Sequence, residues 1–126
     1  DLPQYDMMAV FEAVTNAVAH RDYSMAGSKI RLRMFDDRLE IYSPGMLPNT
    51  MTPDSLAYRQ ASRNETVTSL HACCPVKGDW THRSHIMDKR GEGVSLILSR
   101  SEQFSGRKPE YRLIDDSELL LSIYAA

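Results

Sequence analysis

Residues 29–42 read Lys29-Ile30-Arg31-Leu32-Arg33-Met34-Phe35-Asp36-Asp37-Arg38-Leu39-Glu40-Ile41-Tyr42, and their alternation decides the fold. From Lys29 to Phe35, Ile30, Leu32 and Met34 share one face while Lys29, Arg31 and Arg33 share the other, the period of a half-buried strand. Asp36-Asp37 marks a turn. From Arg38 to Tyr42 the pattern resumes with Leu39 and Ile41 on the buried side. Glu40 is then placed to pair across the hairpin with an arginine. The basic face is expected to be the solvated side of a sheet covered on one side only.

Upstream, from Tyr5 to about His20, Met7, Val10, Phe11, Val14 and Val18 recur at helical spacing, with Asp6 as the capping residue. These five are expected to face the core. Glu12, Asn16 and His20 then stack along the opposite side among Ala9, Ala13 and Ala19. Arg21-Asp22-Tyr23-Ser24 and Gly27 read as a loop.

Downstream, Ser43 to Asn49 is a loop by its two prolines and one glycine, and Thr52-Pro53 starts a short helix running to about Tyr58. Asn64 caps a further run through Val67, Leu70 and Cys74 that Pro75 stops. Residues 75–92 have no usable period and read as a long loop. After Gly91-Glu92-Gly93, the apolar Val94, Leu96, Ile97 and Leu98 form either a short helix or a buried segment. Tyr111 to Ile114, a turn at Asp115-Asp116-Ser117, and Leu119 to Tyr124 make a second hairpin. The order helix, hairpin, helices, hairpin specifies an α+β fold, a two-layer sandwich of helices on a mainly antiparallel sheet.

At 126 residues, 42% hydrophobic and 25% charged, the chain is expected to be one domain, residues 1–126, with enough buried surface to need no staple. Fifteen Lys+Arg against 17 Asp+Glu give a net charge of −2, which removes the electrostatic case for a dedicated nucleic-acid domain. No apolar stretch approaches the ~20 residues of a membrane-spanning helix. The start at Asp1, without a basic-then-apolar leader, suggests a piece cut from a longer protein. Cys73 and Cys74, the only cysteines, are adjacent and expected to stay reduced, as in a cytoplasmic protein.

Glu12 and Asn16, four apart on one helix, make neighbours of a carboxylate and an amide oxygen, donors suited to a divalent ion and its water. As an isolated pair they are more often part of a solvated face. The glycine-bearing loops at Gly45 and at Gly91 and Gly93 let backbone N–H groups approach phosphate, although each alone is ordinary turn chemistry. Their order along the chain is the stronger signal.

The run Phe11-Glu12-Ala13-Val14-Thr15-Asn16-Ala17-Val18-Ala19-His20-Arg21-Asp22-Tyr23-Ser24, then Ile30 to Ile41, then Ser43-Pro44-Gly45-Met46-Leu47-Pro48, resembles the C-terminal domain of RecG-helicase-like or Schlafen AlbA-type transcriptional regulators, divergent relatives of the GHKL ATPases. The resemblance runs from about Leu2 to Leu98 and is densest before residue 50. It implies a nucleotide site for ATP with magnesium. Glu12 matches the glutamate that activates water, and Asn16 the asparagine that coordinates magnesium. Gly45 matches the glycine of the loop under the adenine, and Gly91 and Gly93 the Gly-x-Gly beside the phosphates. His20, Arg21, Asp22 and Arg63-Asn64 match positions typical of the subfamily, and His20 is counted with the nucleotide-binding set. DNA would be reached only through a domain preceding Asp1, and a homo-oligomer is allowed. The rival implication is a non-catalytic module of the same fold that serves dimerisation or protein interaction.

The sequence departs from the GHKL pattern in three places. Ser43 stands where an aspartate two residues before the loop glycine normally reads adenine, Met46 or Leu47 replaces the second loop glycine, and Cys73 to Lys89 is longer than the usual connection. The absence of G-x-x-x-x-G-K-[ST] excludes a P-loop motor. His71, Cys73, Cys74, His82 and His85 cluster in sequence, but adjacent cysteines do not ligate as C-x₂-C does. Zinc is therefore not expected, and buried thiols near surface histidines are. Trp80, among Lys77, His82 and Arg83, is expected to pack its loop down rather than to stack a base.

Overall fold

The computed structural model describes residues 2–45, 53, 70–71, 73–76, 85 and 93–126. Among the described residues six elements follow in order: α1 (Met7–His20), β1 (Arg31–Met34), β2 (Arg38–Pro44), α2 (Gly93–Ser105), β3 (Glu110–Ile114) and β4 (Glu118–Tyr124). The strands form one antiparallel sheet in the order β1-β2-β4-β3. With α1 and α2 on one face of that sheet, the described residues make the expected α+β sandwich.

Asp6 starts α1 as expected. Its backbone is extended and its carboxylate accepts a hydrogen bond from the Ala9 amide at 2.9 Å. Arg100 of α2 donates two further bonds to the same carboxylate, each 2.8 Å, so one side chain caps the first helix and ties it to the second. Arg100 foremost, helped by the backbone amides, holds the Asp6 carboxyl below its ordinary range.

The inner face of α1 is the reverse of the one its bulky residues predict. Ala9, Ala13, Ala17 and Ala19 are at most 7% exposed and Glu12 and Thr15 are buried, whereas Met7 is 55% and Val14 40% exposed. Small side chains allow α1 to approach both α2 and β2, a spacing that a row of valines would prevent. Val10 still packs against the edge of the core, which centres on Ala13, Ala17, Leu39, Ile41, Ile97, Leu121 and Ile123.

In the first hairpin, Leu32 lies opposite Ile41 and Met34 opposite Leu39, so both are on the helix side, as the alternation requires. They are nonetheless 52% and 67% exposed, because α1 lies over β2 and α2 over β4 while β1 is the sheet's edge. Only Ile30 of that apolar set reaches the core. Glu40 is buried on the opposite face, and its ion pair runs along its own strand to Arg38 at 2.9 Å instead of across the hairpin.

The segment after Gly93 is a helix, and at 13 residues it is longer than its apolar start indicates. The last hairpin turns through Asp115 and Asp116 at φ 50° and 53°, the left-handed pair of a type I′ turn. Leu70, His71 and Cys73 are helical, and Pro75 pairs with His85 in an isolated bridge, consistent with a helix stopped before Pro75. Cys73 and Cys74 are free thiols and exposed, a correction to their expected burial that follows from their place at that helix end. The rest of the expected helices at Thr52 and Asn64, the Met46-Leu47 positions, and Lys77, Trp80, His82 and Arg83 lie outside the described residues.

Candidate functional site

Three of the expected site residues meet at the seam between the two helices. Glu12, 3% exposed, points from α1 toward the first residue of α2. A methyl group built on Gly93 would lie 2.6 Å from Glu12 Oε1, 2.8 Å from Asn16 Nδ2 and 3.2 Å from Asn16 Oδ1. Glycine is therefore what lets α2 begin against this carboxylate and amide. The positive end of a helix favours a negative group at this place, which offsets part of the desolvation of Glu12.

Ser43 reaches the same helix one residue beyond Asn16, its Oγ donating to the Ala17 carbonyl at 3.1 Å. The end of β2 is held from two other sides. The Asp22 amide donates to the Pro44 carbonyl at 2.8 Å, and the Gly45 amide to the Ser117 carbonyl at 2.7 Å. Gly45 has φ 132°, a conformation other residues rarely adopt. His20, one turn beyond Asn16, is exposed, and Gly91 lies outside the described residues. The structure thus joins Glu12, Asn16 and Gly93, and anchors Ser43 and Gly45 at the adjoining end of β2.

Arg21 and Asp22 acquire a structural role. The Arg21 guanidinium donates to the Met25 and Ser28 carbonyls and stacks 4.8 Å over Tyr23, while Asp22 accepts from the Ser24 amide and hydroxyl. They fold the 21–28 loop against β2. Arg63 and Asn64 are outside the described residues.

Sequence reasoning missed Tyr111, which packs against the core on the helix side of β3. Burial, and then the charge of Glu12, push its phenol well above the ordinary tyrosine range, which places it in the electrostatic surroundings of that carboxylate. Its parity with Leu113 in the alternating strand was the available signal. On the far face of the sheet Tyr42 donates to Glu40 at 2.7 Å, and with Arg38 it holds the Glu40 carboxyl below its usual range. Among the described residues no group of three or more His, Cys, Asp or Glu could hold a metal ion, and no helix is long and apolar enough to cross a membrane.

Residues 27–122 match the family described as "Putative ATP-dependent DNA helicase recG C-terminal", a GHKL-like ATPase family. The chain belongs to this family. The match starts after α1, so Glu12 and Asn16 lie outside the residues that establish membership in the RecG C-terminal family. In fold, the chain is similar to the DIP2311 protein from Corynebacterium diphtheriae, with a TM-score of 0.83 at 23% identity, over 100% of this chain and 24% of that one. The RecG C-terminal domain described here thus spans about a quarter of that protein's length. No curated protein matches the sequence.

Proposed function

We propose that this RecG C-terminal domain binds ATP with magnesium beside the seam of α1 and α2 and hydrolyses it slowly. The observation that carries the reading is the approach of Gly93, distant in sequence, to Glu12 and Asn16, so close that a methyl group there would lie 2.6 Å and 2.8 Å from them; the three match a phosphate-loop glycine, a water-activating glutamate and a magnesium ligand. The donors suit the ion: Asn16 offers a hard amide oxygen, beside the carboxylate of Glu12. Asn16 would hold magnesium, which when bound offsets phosphate charge. Glu12 is the general base that accepts the proton of the attacking water. Gly93 would offer its backbone N–H to the phosphates, a role the resemblance also gives to Gly91, and His20 is counted with the nucleotide-binding set.

Ser43 supports an adenine ligand. Its hydrogen is committed to the Ala17 carbonyl, so Oγ has only lone pairs to offer, and the exocyclic amine of adenine needs an acceptor. Gly45 forms the loop under the base. In the parent protein the domain would serve a transcriptional regulator that reaches DNA through a separate part of the chain.

Thermal shift and calorimetric titration with ATP, ADP and a non-hydrolysable analogue, each with and without magnesium, test the reading. Binding at a hundred times Kd stabilises the fold by about 2.7 kcal/mol, which raises Tm by several degrees. The expected result is a magnesium-dependent shift that Asn16→Ala abolishes, and a hydrolysis rate that Glu12→Ala removes while binding persists. No shift at millimolar nucleotide would overturn it in favour of a non-catalytic interaction module.

A further inference from the structure

Among the described residues β1 is an edge strand of the sheet, and its outer side leaves backbone groups unpaired. The Phe35 amide bonds to the Arg38 carbonyl, whereas the Ala125 amide bonds to the Asp37 carbonyl and the Gly45 amide to the Ser117 carbonyl. Even-numbered residues of β2 therefore bond to β1 and odd-numbered ones to β4. By the alternation of an antiparallel ladder, Arg31 and Arg33 spend their backbone groups on Tyr42 and Glu40, and the N–H and C=O of Leu32 and Met34 point outward from the sheet. The side chains of the same two residues are the exposed apolar pair on the helix side.

The other side of this edge is positive. Arg31 and Arg33 lie 4.5 Å and 5.3 Å from the Tyr42 ring centroid. Arg31 is paired with Glu118 at 2.5 Å, but Arg33 makes no ion pair among the described residues, and Lys29 extends the same row. A second copy of this strand fits poorly. Antiparallel self-pairing bonds Leu32 and Met34 only to one another, and so always sets the arginines of one copy opposite those of the other.

We propose that β1 accepts an extended peptide from a partner protein as an added strand, one alternating acidic with apolar side chains. Its backbone bonds to Leu32 and Met34, its apolar side chains lie on theirs, and its carboxylates meet Arg33 and Lys29. The arginines that repel a second copy select for this partner.

Fluorescence polarisation with a labelled Gly-Glu-Val-Glu-Val-Glu-Gly peptide tests the proposal, with the lysine counterpart and a peptide N-methylated at alternate amides as controls. Saturable binding is expected, at least tenfold weaker for Arg33→Glu, for Leu32→Asp and for the N-methylated peptide, and tenfold weaker for the lysine peptide. Circular dichroism monitors folding, and Met34→Asp replaces Leu32→Asp if the latter misfolds. No binding at millimolar peptide, equal binding of the lysine or N-methylated peptide, or self-association in sedimentation that Leu32→Asp abolishes would each overturn it.

Discussion

A methyl group added at Gly93 would press on the tips of two side chains, Glu12 Oε1 and Asn16 Nδ2, rather than on backbone. Tips can move, so Gly93→Ala is expected to leave stability within about 1 kcal/mol, aided by the better helix propensity of alanine. The displaced carboxylate and amide should cost at least tenfold in magnesium-nucleotide affinity, and calorimetry on the variant compares the two effects. Asp6 behaves oppositely, because its work is structural. Asp6→Ala removes the cap of α1 and the partner of Arg100, and should cost about 1–2 kcal/mol in denaturant unfolding. The native carboxyl titrates below its unfolded value of about 3.9, so its stabilisation is fully present above that pH and is lost as pH falls through the lower native value. The stability gap between the native sequence and Asp6→Asn should accordingly narrow in acid and persist at pH 7.

Among the elements, the second hairpin offers the clearest test of turn chemistry. Asp115 and Asp116 both occupy the left-handed region, where glycine is unstrained, so Asp116→Gly should stabilise the fold by about 0.5–1 kcal/mol in thermal unfolding. On the first hairpin, Met34→Thr should change stability by less than about 0.5 kcal/mol, whereas Ile123→Ala, which opens a void at a side chain 1% exposed, should cost about 2–5 kcal/mol. Both hairpins and the capped start of α1 were legible because alternation and a capping aspartate are local signals. The exposure of Leu32 and Met34 was not, since alternation identifies a face and says nothing of how far the helices reach across it. The C-terminal half of α2 is too polar to register as periodic. For the site, the E-x-x-x-N spacing and the later glycines were readable in order, but their meeting at Gly93 depends on how two helices pack, and Tyr111 enters from a strand whose neighbours are unknown until the sheet is assembled.

Over the whole molecule, stability should fall from the inner strands to the edge. β2 and β4 are paired on both sides and bury Leu39, Ile41, Leu121 and Ile123, so their amides should exchange with solvent only through global opening. The outward amides of Leu32 and Met34 should exchange orders of magnitude faster, which hydrogen-exchange spectroscopy resolves residue by residue. The alanine face of α1 has a separate consequence. A helix seated on four methyl groups has no room for growth, so a saturation scan should find that face closed to valine and leucine, while glycine costs only its helix propensity, about 1 kcal/mol per site. Along α1, substitution would be filtered by volume before polarity, and evolutionary drift would be confined to the outer face, where Met7 and Val14 stand in solvent.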